Sequence, residues 1–279
     1  MSEVTGAGVV QMSAAPGRSE ENLAVAHRYV TQLASQGANV VVLPELFATG
    51  YDLGMDLLAA ADETDDHVAV LTDWAREMDL VLATALLTRT EDDHVLDVAM
   101  IIGADGMLAS SSKRFLWGGE RRAFTRRVEP GALAKTRFGT VGVAICYEAG
   151  FPEVVRDLAL RGADIIAIPA AFGRRRLYAW ELLTRSRALE NGCFVAAAGL
   201  TGPNNAGGSF AAHSRIVSPT GDVLAGLARG EGVAMAALDL GDIERSRTEI
   251  PYLTHLIADR TDGAETPTEE EQAWLTSTS

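Results

Sequence analysis

Short apolar runs alternate with amphipathic stretches of helical period along most of the chain. GVVQM is followed by a helical pattern from about Glu20 to Gln36, then NVVVLPE, a second helical pattern from about Asp66 to Met78, and LVLATALL. VLDVAMII and MLASSS flank the turn GADG and predict a β-hairpin. TVGVAICYE, a helix from about Pro152 to Arg161, DIIAIPAAF and a helix from about Tyr178 to Asn191 repeat the alternation. The last third is richer in strands: CFVAAAGL, AHSRIVSP, the turn TGD, VLAGL and VAMAALDL read as a sheet continuing toward its own edge. No Pro/Gly/Ser linker or internal repeat interrupts the chain. The pattern therefore predicts one domain over residues 1–279 in mixed α/β layers, with 255–279 a polar C-terminal tail that Trp274 holds against a surface.

Composition narrows the classes. Hydrophobic residues make up 47% and charged residues 22% of 279 positions, an ordinary globular balance. A net charge of −14 argues against nucleic acid and anionic membrane as partners, because both bind through clustered Lys and Arg. No apolar run approaches the roughly 20 residues that span a bilayer. The N-terminus lacks the basic and apolar regions of a secretory leader, and two cysteines form no disulfide framework, so a reduced cytoplasmic setting is expected. The five histidines lack metal-ligand spacing, and neither metal nor cofactor is expected.

Candidate chemistry lies at strand ends. Glu45 follows VVVLP, Lys113 follows LASSS and Cys146 follows VGVAI, and α/β proteins build sites beyond strand carboxyl ends. A thiolate, a carboxylate that carries its proton and an ammonium that faces an oxyanion together suit acyl transfer. Each residue alone has a structural reading, and a free cysteine usually packs as a small hydrophobe. The turn after Cys146 directs backbone N–H groups, that of Tyr147 included, toward an oxyanion, and its positive potential is expected to lower the thiol pKa. Cys193, opening CFVAAAGL, reads as core.

PELFATGY, SKRFLWGGERRAF, GVAICYEAGFPEVVRDLALRGADIIAIPAAF, RSRALENGCFVAA and SRIVSPTGDVLA resemble, in order and spacing, the motifs of the nitrilase, or carbon–nitrogen hydrolase, superfamily, over nearly the whole chain. The resemblance implies an α/β fold of the four-layer αββα sandwich type, with subunits pairing into a homodimer or higher homo-oligomer. It implies Glu45 as general base, Lys113 as stabiliser of the tetrahedral intermediate, Cys146 as nucleophile and Glu120 as a second glutamate orienting the lysine and the substrate. The implied reaction is hydrolysis of a small linear amide through a thioester, without a cofactor. An N-carbamoyl compound or a nitrile is the alternative substrate, and Tyr147, where long nitrilases carry Trp, favours the amide.

Tyr51, Trp117, Tyr147 and Phe172 flank these motifs as candidate pocket walls. Glu153 with Arg156, and Arg187 with Glu190, are spaced for scaffold ion pairs. Arg174, Arg175 and Arg176 suit solvent, an interface or an acidic substrate, with Arg175 the expected carboxylate contact. The chain departs from the family at Glu148, where Asp is frequent, in AAGLTG, where Asn is frequent, and at His213 before Ser214, where Gly is frequent. A non-catalytic binding protein of the same fold is the rival reading. A nucleotide-binding fold lacks support, since GAG near Gly6 is not continued to GxGxxG.

Overall fold

The computed structural model describes residues 4–204 and 207–261. In chain order its elements are β1 (Val4–Gln11), α1 (Ser19–Ser35), β2 (Val40–Glu45), α2 (Leu57–Asp62), α3 (Thr64–Glu77), β3 (Val81–Arg89), β4 (Val95–Gly103), β5 (Gly106–Ser112) and α4 (Glu120–Ala123). There follow β6 (Leu133–Thr136), β7 (Gly139–Val143), α5 (Pro152–Leu160), β8 (Ile165–Ala170), α6 (Leu177–Leu189), β9 (Phe194–Gly199), β10 (Arg215–Val217), β11 (Val223–Gly226), β12 (Gly232–Asp239), α7 (Gly241–Glu249) and α8 (Tyr252–Thr261). Single 3-10 turns cover Cys146–Gly150 and Arg174–Arg176.

Two six-stranded mixed sheets form, in the orders β12-β1-β2-β3-β4-β5 and β11-β10-β9-β8-β7-β6. Strand alternation sorts side chains into layers. Ala7, Val9, Val40 and Val42 meet Val141, Ile165, Ala167 and Ala196 between the sheets. Val10, Val41, Leu43 and Leu82 turn outward to α1 and α3. In α1 the buried residues Asn22, Ala26, Val30 and Leu33 recur at helical spacing, and in α6 Trp180, Thr184, Arg187 and Ala188 do the same. The result is the αββα sandwich.

Close approach of α1 to β1 depends on glycine. A Cβ on Gly8 would lie 2.8 Å from the Leu33 side chain, and one on Gly6 would collide with the Gly37 carbonyl oxygen.

Three expectations need correction. β12 does not extend the second sheet; it pairs antiparallel with β1 in the first, Val4 opposite Asp239, so the last third of the chain is divided between sheets. The strand before the cysteine ends at Val143, and Cys146 already belongs to the 3-10 turn. The expected tail from His255 begins inside α8; the rest of it, with Trp274, lies outside the described residues.

Gly6→Ala is expected to destabilise the fold by about 2 kcal/mol, because the colliding atom is backbone and cannot rotate away. Thermal or urea unfolding measures it, and an unchanged midpoint would contradict this packing.

Candidate active site

β2 and β3 are parallel, and the antiparallel hairpins β3–β4 and β4–β5 return β5 to the same direction. The carboxyl ends of β2 and β5 therefore share one rim. There Glu45 closes β2 and Lys113 follows β5, both fully buried. The second sheet meets that rim at the end of β8, where the Ala171 N–H donates to Glu45 Oε2 at 2.7 Å.

Lys113 Nζ is the centre of the cluster. It lies 2.5 Å from Glu45 Oε1, 2.8 Å from Glu120 Oε1 and 3.1 Å from Asp97 Oδ2. Asp97 was not singled out in the sequence. It stands on β4 in the same alternation as Ala99 and Ile101, facing the other sheet, and its carbonyl accepts from the Lys113 N–H across the hairpin. One acid inside VLDVAMII at an inward phase was the available signal. The three carboxylates lie within 4.8 Å of one another, spacing that suits a cation, and the lysine ammonium stands among them.

Burial alone would push Lys113 toward neutrality, but the carboxylates of Glu45, Asp97 and Glu120 raise its pKa well above the usual lysine range. Burial raises Asp97 far above the ordinary carboxyl range, and no backbone N–H reaches either of its oxygens to reverse that. Burial thus favours the protonated form of Asp97, and the Lys113 ammonium opposes it.

Cys146 opens its 3-10 turn with φ of 48°, a left-handed conformation that costs a non-glycine residue on the order of 1–2 kcal/mol. Its thiol is buried, and burial followed by the Glu45 charge raises its pKa. The expected lowering by the turn does not prevail, because desolvation and negative neighbours outweigh the partial charges of one turn. The resting thiol holds its proton.

Glu148 clamps this turn. Its carboxylate accepts from the Ile145 N–H at 2.8 Å, the Arg114 N–H at 2.6 Å and the Phe115 N–H at 3.3 Å, tying the cysteine turn to the segment after Lys113. The sequence marked Glu148 only as a departure from the family.

Glu120 is fixed on both oxygens: the Tyr51 hydroxyl donates to Oε1 at 2.5 Å and the Trp117 N–H donates to Oε2 at 2.7 Å. The Trp117 ring meets Tyr147 edge-on at 4.8 Å. Phe172 is buried against Trp180, 5.4 Å between rings, and so supports the wall more than it opens to the pocket. A cavity of about 390 Å³, lined by Tyr51, Trp117, Ala171, Gly173, Arg176 and Phe210 among others, adjoins the cluster through Tyr51 and Ala171. A larger groove of about 690 Å³ opens behind Glu148 beside α5, and none of Glu45, Lys113, Glu120 or Cys146 lines it.

Of the scaffold pairs, Arg187 and Glu190 form an ion pair, whereas Arg156 donates to the Glu190 carbonyl oxygen. Cys193 is core, as expected, with its thiol pushed up to about 12 by burial. His213 pairs with Glu181 beside Arg215 and does not line the cavity. Arg175 is exposed and does not line the cavity either, which corrects the expectation that placed a carboxylate contact there.

A sandwich of this topology with a buried cysteine, glutamates and lysine defines a carbon–nitrogen hydrolase. The family model for carbon–nitrogen hydrolases matches residues 6–248, and the chain belongs to that family, on its amidase-like branch. It is 32% identical over 254 residues to the 2-oxoglutaramate amidase of Bacillus subtilis, covering 90% of this chain and 96% of that one. It is 26% identical over 261 residues to the chloroplastic omega-amidase of Arabidopsis thaliana, covering 88% and 70%. Among solved structures it resembles an amidase mutant from Nesterenkonia sp. AN1 that carries the acetamide moiety of fluoroacetamide covalently on its active-site cysteine, with TM-score 0.79, 27% identity and 89% and 96% of the chains covered. No helix among the described residues is long and apolar enough to cross a membrane.

Substitutions at two positions test this geometry. Glu148→Ala strands three backbone N–H groups and is expected to lower stability by about 3 kcal/mol, measured by unfolding. Asp97→Asn replaces an acid that burial pushes toward its neutral form with a neutral amide of the same shape and is expected to keep kcat within about threefold at pH 7, whereas Asp97→Ala loses about tenfold or more. Equal losses in the two Asp97 variants would mean that the carboxyl is ionised.

Proposed function

We propose that this protein hydrolyses a small linear amide to a carboxylic acid and ammonia, with Cys146 as nucleophile, Glu45 as the proton carrier, Lys113 as stabiliser of the oxyanion and Glu120 as the residue that orients Lys113. The observation that carries this reading is Glu45, whose carboxylate is bonded at once to the Lys113 ammonium and the Ala171 N–H and whose charge acts on the buried Cys146 thiol. Because the thiol is protonated at rest, Glu45 removes its proton as sulfur attacks the amide carbon. The oxyanion forms toward Lys113 and the Tyr147 N–H, whose place at the start of a helical turn leaves it without a partner in that turn. Protonated Glu45 gives its proton to the departing nitrogen, the C–N bond breaks and ammonia leaves. Water, deprotonated by Glu45, then cleaves the thioester, releasing acid and regenerating the thiol.

An amide is preferred to an N-carbamoyl compound or a nitrile because the relatives in hand act on amides by name. Tyr51 and Trp117 wall the substrate, with Tyr147 packed against Trp117 and Phe172 behind, neither lining the cavity itself. Residues 1–279 are read as one domain, in keeping with the single family match across 6–248. A reduced cytoplasmic setting is consistent with two unpaired cysteines. A homo-oligomer is favoured by an exposed apolar stripe on α6, Tyr178, Leu182 and Leu189, beside Val223 and Leu224 of β11.

Intact-protein mass spectrometry with a panel of short aliphatic amides, together with ammonia release, tests the reaction. Wild type is expected to release ammonia, Glu45→Gln to lose at least about a thousandfold in kcat, and Cys146→Ala to form no acyl adduct. Turnover surviving in Cys146→Ala would overturn the reading. Sedimentation measures the second expectation: Leu182→Glu shifts the protein toward monomer.

A further inference from the structure

Of the three acids around Lys113, Glu45 and Glu120 have fixed donors of their own. The Ala171 N–H holds Glu45, and the Tyr51 hydroxyl and the Trp117 N–H hold Glu120. Asp97 has no such support: among the described residues neither of its buried side-chain oxygens makes a hydrogen bond. Yet Lys113 meets Asp97 at both of its ends. The Lys113 N–H donates to the Asp97 carbonyl oxygen at 2.7 Å, and Nζ returns to within 3.1 Å of Oδ2. The charged groups facing Asp97 are Glu45 from β2, Lys113 beyond β5 and Glu120 from α4, and its register partner on β3 is the apolar Leu87. Cys146 acts on the cluster from the other sheet through the Lys113 charge. The Tyr51 hydroxyl, which burial holds above the usual tyrosine range, stands behind Glu120. The reaction proposed above gives Asp97 no part.

We infer that Asp97 is a positioning residue for Lys113: as a neutral acid it seats the ammonium, and once ionised it draws the ammonium away from the oxyanion, which sets the alkaline limit of turnover. The inference rests on the amide-hydrolase reading above and adds to it a residue and a pH dependence. At rest the two glutamates take two N–H groups of the ammonium, and Glu45 releases its own when it accepts the thiol proton. The released N–H then has two acceptors in reach, the substrate oxygen and Asp97 Oδ2. A neutral carboxyl accepts weakly and leaves the N–H to the oxyanion. A carboxylate accepts a charge-assisted bond, roughly twice as strong, and keeps it. Ionisation, with the proton passing to solvent, would also leave three carboxylates within 4.8 Å of one another around a single ammonium. Burial favours the neutral acid and the Lys113 charge opposes it, the balance lying well above the ordinary carboxyl range. The neutral form therefore prevails on the acid side of that balance and is lost as pH rises, and turnover is lost in the same direction.

The test is kcat for ammonia release from a short aliphatic amide, measured from about pH 6 to about pH 10 in wild type and Asp97→Asn. The asparagine amide keeps the shape of the neutral acid and cannot ionise. The ratio of kcat in Asp97→Asn to kcat in wild type is therefore expected to rise about tenfold or more between pH 7 and pH 10. A scaffold role alone would give a ratio that does not rise with pH, and that result would overturn the inference while keeping the amidase reading. Infrared spectroscopy of the wild type, with and without isotope-labelled aspartate, reads a buried protonated aspartate with neither turnover nor a substitution, so the inference stays falsifiable if Asp97→Asn does not fold. The label-sensitive carboxyl band is expected at pH 7 and is expected to vanish in step with the alkaline fall of kcat. Absence of that band at pH 7, or its loss at a pH where kcat is unaffected, would overturn the inference. A titrating band in a protein that releases no ammonia from any amide would overturn the amidase reading, and with it the pH limit, and would keep only the neutral seat for Lys113.

Discussion

The structure is organised around one ammonium group taken out of water. Lys113 contributes a charge that is unstable in the interior unless partners surround it, and the three it has come from β2, β4 and the first residue of α4. Those elements reach one point only if β2, β3, β4 and β5 lie in that order in one sheet and the second sheet closes over the rim through the Ala171 N–H. Three ionised acids around one ammonium would leave an excess of negative charge in a dry site. Asp97, without backbone donors, is pushed by burial toward its protonated form, which lessens that excess.

The same burial determines how the thiol is held. Cys146 could be ionised in advance only if positive charge prevailed around it, and here desolvation and Glu45 prevail instead. What the turn contributes is position: a left-handed residue that aims the sulfur, kept in that conformation by the three N–H groups that Glu148 gathers. A glutamate in place of the family's frequent aspartate has a longer reach, and it uses that reach to join the cysteine turn to the lysine segment.

Much of this was legible in the chain. Glu45 ends a strand, Lys113 follows one directly and Cys146 lies a short step beyond one, where a local pattern suffices, and Glu120 follows Lys113 at a spacing that the family motif carries. Asp97 was hidden because an acid in an apolar run gains meaning only from the residue opposite, and its partner Lys113 lies across a hairpin. The pairing of β12 with β1 was hidden for the same reason on a larger scale, since alternation identifies a strand but not its neighbour. Helix α2 is too short for periodicity to reveal, although Asp56, which accepts from the Ala59 N–H, is a cap that could have marked it. Arg176 differs from Arg175 only by where a 3-10 turn directs each side chain.

The lysine's partners also constrain the order of events. Two donors of the Lys113 ammonium are bonded to Glu45 and Glu120, while Asp97 Oδ2 stands 3.1 Å away without a hydrogen bond, so at rest the ammonium is held mainly by the two glutamates. With Glu45 as the proton carrier, arrival of the thiol proton turns its carboxylate into a neutral acid, a much weaker acceptor, and one Lys113 N–H becomes free as negative charge appears on the substrate oxygen. Activation of sulfur and stabilisation of the oxyanion are then a single event. On the proposed roles, a thiolate formed beforehand would leave Glu45 protonated and the ammonium redirected before a substrate had arrived, an outcome that the raised thiol pKa disfavours.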